Sequence, residues 1–147
     1  MGPALVEFLV IGAIGGALSV LIAFALRRYT REILFFLLIG AAAAYVYFAL
    51  RAGETPLWLF VELVGVGVYG LMGFRGLRGS PWWLVAGWAL HVIWDVGLHY
   101  FGPGRAFAPV PYTIACVSWD LVVAGYLGYR ITRGTPWYAA PPRWKTR

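Results

Sequence analysis

Five long runs of apolar residues, separated by short polar links, constrain this chain more than any other feature of its sequence. They are Ala4 to Leu26, Ile33 to Leu50, Leu57 to Phe74, Trp82 to Tyr100 and Thr113 to Ile131. Each run has roughly the 17 to 25 residues that cross the hydrocarbon core of a bilayer as a helix. Apolar residues surround every face of these runs, which excludes the amphipathic helices of a soluble domain. We therefore predict an all-α, polytopic membrane protein, an antiparallel bundle of five transmembrane helices.

The charged residues support this prediction and give it an orientation. Only 12% of the 147 residues are charged and 61% are hydrophobic, too few polar groups for a water-facing surface. Of the twelve Lys and Arg residues, ten lie in the first link, the third link and the C-terminal tail, and two, Arg51 and Arg105, lie in the other links. The positive-inside rule then places the N-terminus outside and the C-terminus in the cytoplasm. The net charge of +6 is thus a topology signal, not a sign of nucleic-acid binding, and we expect a multi-pass protein of the cell (inner) membrane.

Two parts of the chain differ in composition. Residues 1–134 are predicted to form the transmembrane domain, and residues 135–147 a basic cytoplasmic tail rich in aromatic residues and proline. Gly12 and Gly16 form a GxxxG pair, a spacing that lets helices approach closely in lipid. Such glycine-rich helix faces are candidate contacts for a homo-oligomer, and membrane lipid is the other expected partner.

Both histidines and four of the six acidic residues fall inside the predicted spans. They are Glu7, Glu62, His91, Asp95, His99 and Asp120. An ionised Asp at the centre of a membrane helix costs at least about 2.5–3.5 kcal/mol, so such residues usually serve a function. Measured from the span ends at about 1.5 Å per residue, all of them lie in the outer half of the membrane. Chance placement would scatter them over both halves.

The spacing of these residues predicts a shared site. His91, Asp95 and His99 follow one another at i, i+4 and i+8, which places them on one face of an ideal α-helix. Imidazole and carboxylate are ordinary ligands of Zn, Fe and Mn. We predict a divalent-metal site, with zinc as the first candidate, and two catalytic carboxylates. The predicted metal ligands are His91, His99, Asp120 and Asp95, and the predicted catalytic residues are Asp95 and Glu62.

Charge compensation favours a metal but leaves alternatives open. No Lys or Arg lies in the core of any predicted span, so the carboxylates either hold protons or are compensated by a cation such as a metal ion. The alternatives are a proton relay and a structural network of His–Asp hydrogen bonds. Cys116, one turn before Asp120, is a further candidate ligand, although a lone Cys in a membrane helix is more often a packing residue.

Two other features lie near the predicted site. Tyr45 and Tyr47 occupy the outer half of the second span, and only one of them can face the cluster because residues two apart point about 200° from each other. We interpret both as aromatic residues at the membrane interface. The long link from Phe101 to Tyr112 directly follows His99 and is interpreted either as a lid over the cluster or as a simple connector.

The segment from Gly87 to His99 contains an HxxxDxxxH pattern at His91, Asp95 and His99, and Asp120 follows it in the next span. This pattern resembles a family of small bacterial and fungal membrane proteins catalogued as domain of unknown function 6010. The resemblance covers most of the chain and is strongest across the fourth and fifth spans. It implies that these four polar residues belong to the family pattern. It implies no activity.

The same pattern also looks like that of zinc-dependent intramembrane hydrolases, the alkaline ceramidase and progestin-receptor-like group. This chain has fewer predicted helices than that group and lacks its full set of histidines. As fold-level analogy, the resemblance implies a metal-dependent membrane hydrolase acting on a lipid-like substrate. A proton-coupled carrier or proton relay, and a small accessory subunit of a larger membrane complex, are the alternative functions.

Overall fold

A computed structural model describes residues 2–134 of the chain, and this part is helical and without strands. Its α-helices are α1 (Pro3–Ala25), α2 (Thr30–Ala52), α3 (Pro56–Arg78), α4 (Trp82–Trp94) and α5 (Val110–Thr132). A 3-10 turn at Arg27–Tyr29 precedes α2, a π-helix at Asp95–Tyr100 continues α4, and a 3-10 turn at Pro103–Ala106 precedes α5. The predicted tail, residues 135–147, lies outside the described residues.

The ends of the helices follow from local sequence. Pro3 and Pro56 each stand at the first helical position, where the missing N–H leaves no hydrogen bond unmade. Gly53 ends α2 with a φ of 71°, a left-handed conformation that glycine adopts without steric cost. The three-residue link from Gly53 to Thr55 forces α3 to run antiparallel to α2.

Four helical stretches are long and apolar enough to cross a membrane. Among the described residues these are Pro3–Ala25, Arg27–Ala52, Pro56–Arg78 and Val110–Thr132. The fourth predicted span is divided between α4 and its π-helical continuation, which together run from Trp82 to Tyr100. Large apolar side chains lie exposed on every α-helix, as in Ile14 (56%), Phe36 (66%), Phe60 (63%), Ile93 (65%) and Leu121 (55%). A surface this apolar is typical of a protein in contact with lipid.

Helices α2 to α5 pack in chain order, whereas α1 packs mainly against α5. α1 packs along α5, α5 against α4, α4 against α3, and α3 against α2. Gly12 and Gly16 form the contact between α1 and α5, because a Cβ at Gly12 would collide with the Ala115 carbonyl and one at Gly16 would lie 2.9 Å from the Trp119 carbonyl oxygen. This GxxxG face is therefore used within the chain. The arrangement places α4 in the middle, with α3 on one side and α5 on the other.

Candidate functional site

The polar part of the fourth predicted span departs from α-helical geometry. Asp95–Tyr100 is a π-helix, and the Phe101 N–H donates to the carbonyl oxygen of Val96, five residues earlier, at 3.0 Å. A π turn contains more residues than an α turn, so each residue advances by a smaller angle around the axis. Four such steps still return His99 to the interior face, and His91, Asp95 and His99 are all 0% exposed, as the predicted stripe requires. Within that face, His99 pairs with Glu62 of α3.

His91, Asp95 and Asp120 form a buried group, here called the trio, that can hold a metal ion. His91 Nδ1 lies 2.8 Å from Oδ2 of Asp120 on α5 and 3.4 Å from Oδ2 of Asp95, one turn further along. The potential ligand atoms of the trio all lie within 4.8 Å of one another. Each side chain is at most 1% exposed. The structure thus brings together three of the four predicted metal ligands.

Tyr45 of α2 holds one side of the trio in place. Its hydroxyl donates to Oδ1 of Asp95 at 2.8 Å, while Asp95 Oδ2 has no hydrogen-bond partner. The interpretation of Tyr45 as an interface aromatic is wrong, because its side chain is fully buried. Tyr47 is 54% exposed and accepts a hydrogen bond from Arg51. Thr113, which the sequence did not single out, is buried with its hydroxyl 3.4 Å from that of Tyr45.

Glu62 and His99 form a second buried pair beside the trio. His99 Nε2 lies 3.1 Å from Glu62 Oε1, and the His99 ring stacks on Tyr45 with 3.6 Å between centroids and 9° between planes. His99 Nδ1 and Glu62 Oε2 have no hydrogen-bond partner. His99, the fourth predicted ligand, therefore pairs with Glu62, a predicted catalytic residue. Tyr45 joins this pair to the trio.

The link before α5 covers His99. Phe107, 9% exposed, meets the His99 ring edge to face with 5.8 Å between centroids. A Cβ at Gly104 would lie 2.7 Å from His99 Cδ2, so only glycine allows this close approach. The link therefore covers the cluster, as in the first of the two interpretations given for it.

Two further sequence candidates are not members of the trio. Cys116 is buried on α5, one turn before Asp120, but it does not belong to the group that could hold a metal ion among residues 2–134. Glu7 is exposed on α1. Glu7 is therefore not placed to act on the trio, whereas Tyr45 and Thr113 are the contacts whose place beside it the sequence analysis did not predict.

The donor set of the trio fits a divalent cation. Ligand atoms about 2.0–2.1 Å from a tetrahedral zinc lie roughly 3.4 Å apart, close to the 3.4 Å between His91 Nδ1 and Asp95 Oδ2. The 2.8 Å contact to Asp120 is a hydrogen bond that would have to lengthen by about 0.6 Å to reach the same separation around an ion. Asp95 Oδ2 is a buried oxygen without a hydrogen-bond partner. Buried polar atoms usually have a partner, and a bound ion would supply one here.

A family model described as "Family of unknown function (DUF6010)" matches residues 7–134. The chain belongs to this family. The DUF6010 match contains the trio, Tyr45 and the His99–Glu62 pair, so the whole cluster lies within the family region. Searches of curated proteins and of solved structures found no match.

Proposed function

We propose that this DUF6010 protein binds a divalent metal ion, zinc first among the candidates, at His91, Asp95 and Asp120. The observation that carries the proposal is the trio itself, one imidazole nitrogen and two carboxylate oxygens held within 4.8 Å in the protein interior. Two carboxylates confined at such distances repel each other unless protons or a cation compensate them. Three protein ligands with a fourth position left open are typical of catalytic zinc sites, whereas structural sites use four.

The proposal includes five membrane spans in the cell (inner) membrane, with the N-terminus outside. It is supported by four long apolar helices, by the continuous helical run from Trp82 to Tyr100, and by the ten-to-two distribution of basic residues. In this orientation the end of the bundle that contains Tyr45, Glu62 and His99 faces outward. The metal site would then lie in the outer half of the membrane.

A reporter fused after Arg147 will be active in the cytoplasm, because the basic first and third links and tail favour the inner side. A reporter in the link between Gly53 and Thr55 will be active outside. The two fusions are compared with two reporters, one that works only in the cytoplasm and one that works only outside it. An extracytoplasmic Arg147 would reverse the orientation and move the cluster to the inner half.

The reaction we propose is hydrolysis of an ester or amide of a membrane lipid. Water adds to the carbonyl carbon, the bond to the alcohol oxygen or amine nitrogen breaks, and the leaving group takes up one proton. A bound cation supplies Lewis acidity to such a reaction. Tyr45 holds Asp95 and so orients the trio, and Glu62, whose Oε2 is unpartnered, accepts or returns the proton together with His99.

Metal analysis of the purified protein tests the proposal. Wild-type protein prepared without chelators will contain about one divalent ion per chain, and Asp120→Asn will contain far less because the amide loses the negative charge of the ligand. Glu62→Gln is the matched control, since it makes the same change in the neighbouring pair. Wild type without stoichiometric metal, even after addition of zinc, would contradict the proposal.

Tyr45→Phe will weaken metal binding by roughly 10- to 100-fold, the usual effect of removing a group that orients a metal ligand. The phenylalanine keeps the stacked ring but loses the hydroxyl that donates to Asp95. Zinc dissociation constants are measured by competition with a chromogenic chelator. Tyr47→Phe, on the exposed side of the same helix, will bind zinc like wild type, and equal affinities for all three proteins would refute the role of Tyr45.

A proton pathway is the second candidate function. One chain of polar contacts runs from Asp120 through His91 and Asp95 to the Tyr45 hydroxyl, and a second joins His99 to Glu62. The two meet at the stacked rings of Tyr45 and His99, where a water molecule would have to carry the proton. Such chains of ionisable groups in membrane helices are typical of proton relays. Proton flux into vesicles containing the purified, metal-free protein would favour this function, and Asp120→Asn would abolish the flux.

A further inference from the structure

A crevice of about 210 Å³ leads from the apolar surface of the bundle to the trio. Its walls come from α2, α4 and α5, and they are almost entirely apolar. They include Phe36, Gly40, Trp88, Cys116, Trp119 and Asp120. Phe36 is 66% exposed and a Cβ at Gly40 would meet nothing within 4 Å, so the crevice is open at α2. Asp120 is 1% exposed and belongs to both the crevice and the trio.

Two tryptophans of the crevice walls have unsatisfied hydrogen-bond donors. The indole Nε1 atoms of Trp88 and Trp119 are buried and have no hydrogen-bond partner. Trp88 is only 1% exposed, so its N–H is far from bulk water. A buried donor without a partner costs free energy, and a ligand that brings an acceptor oxygen removes this cost. The crevice therefore favours a ligand that is mostly apolar and has one acceptor oxygen with a partial negative charge.

We propose that this crevice admits a single fatty-acyl chain from the bilayer, with its carbonyl oxygen bound by the indole N–H groups of Trp88 and Trp119. Pockets that enclose a whole drug-sized ligand usually have about 300–1,000 Å³, so 210 Å³ suits the carbonyl end of one chain, whose remainder would stay in the bilayer, and not a complete diacyl lipid. An acyl chain supplies the apolar surface, and its carbonyl supplies the acceptor. The inference deepens the proposed function, because the carbonyl would lie on the Asp120 side of the trio.

Gly40 and Gly67 provide a matched pair of variants. Both lie in helices at positions where a Cβ would meet no other atom within 4 Å. Gly40 lines the crevice, whereas Gly67 is exposed on α3 and is not among the crevice residues. Gly40→Phe would therefore fill the crevice, and Gly67→Phe would add the same side chain to the lipid-facing surface elsewhere.

Photo-crosslinking in detergent or nanodiscs tests the inference. The probes are palmitic acid and a palmitoyl lysophospholipid, each with a diazirine in the chain, which distinguish a free acid from an acyl ester. Wild type will be labelled on crevice residues, with competition by unlabelled palmitic acid. Labelling of the crevice residues will be at least about tenfold weaker in Gly40→Phe than in wild type, and it will be unchanged in Gly67→Phe. Labelling that both variants reduce equally, or that spreads evenly over α1 and α3, would overturn the inference.

The indole donors are tested separately with Trp88→Phe, which keeps an aromatic ring and removes the N–H. Loss of one neutral hydrogen bond corresponds to a roughly two- to tenfold weaker apparent affinity for the palmitoyl probes. A diazirine alkane without a carbonyl will label wild type and this variant equally. An unchanged affinity for the palmitoyl probes would overturn the assignment of the donors.

Metal and lipid binding are measured independently. All labelling is repeated on chelator-treated protein and on zinc-loaded protein, and we expect crevice labelling in both. Zinc binding without specific labelling would remove the acyl-chain inference and leave the metal site intact. Specific labelling without zinc binding would leave the crevice and remove the metal proposal.

Discussion

His91→Ala will destabilise the protein by about 3–5 kcal/mol, the cost of removing one member of a buried ionic contact, and will abolish its response to zinc. The substitution leaves the carboxylates of Asp95 and Asp120 buried without the imidazole that lies between them. Wild-type protein will gain about 2.7 kcal/mol when zinc is present at a hundred times its dissociation constant. Thermal unfolding in detergent, with chelator and then with added zinc, measures both effects.

His99→Ala is the matched control for this experiment. It also removes a fully buried histidine from its carboxylate partner, Glu62, but it leaves the trio intact. We therefore expect both variants to be destabilised and only His99→Ala to regain stability on addition of zinc. If chelator and zinc leave wild type unchanged, the trio is a structural network or a proton pathway and the metal proposal fails.

Gly12→Ala will destabilise the contact between α1 and α5 far more than its single methyl group would suggest. The new Cβ would collide with the Ala115 carbonyl and with the Ser118 side chain, so α1 would have to move away. That movement would also break the hydrogen bond from Ser118 Oγ to the Leu9 carbonyl oxygen, now 2.7 Å long. Overpacking costs about 1–3 kcal/mol and sometimes more, which lowers the midpoint of thermal unfolding.

Gly67→Ala is the appropriate comparison, because its added Cβ meets no atom within 4 Å. Alanine is a better helix former than glycine by about 0.8–1.0 kcal/mol in solution, so this variant will be as stable as wild type or slightly more stable. Equal unfolding midpoints for Gly12→Ala and Gly67→Ala would show that the α1–α5 contact is looser than described.

The helices could be predicted because their main signal is the length of each apolar run, and the thickness of a bilayer sets that length. Every predicted run corresponds to a helical segment whose ends agree within four residues. The rotation of each helix was harder to predict, since apolar residues surround all faces. In α2, however, Ala42, Tyr45 and Ala49 share one buried face. The two small alanines, three residues before and four residues after Tyr45, could have indicated that Tyr45 points inward.

The sequence predicted which residues form the cluster, but not that they divide into the trio and the His99–Glu62 pair. The spacing brought His91 and Asp95 together correctly because they stand one α turn apart. It also placed His99 on the same buried face correctly, but spacing alone does not show which buried group each residue will meet. The pairing of His99 with Glu62 depends on contact with α3, which residue spacing does not reveal.

The order of helix packing has a consequence for biogenesis. In the proposed five-span arrangement, helices enter the membrane as the ribosome delivers them, so α4 would arrive with His91, Asp95 and His99 before α5 and Asp120 exist. α3 is already present and offers Glu62 to His99, but His91 meets its closest carboxylate only when α5 is inserted. Likewise the glycine face of α1 is exposed to lipid until α5, its main partner, is made. Nascent chains arrested before α5 should therefore depend on insertase or chaperone contacts, and release of these contacts should coincide with insertion of α5.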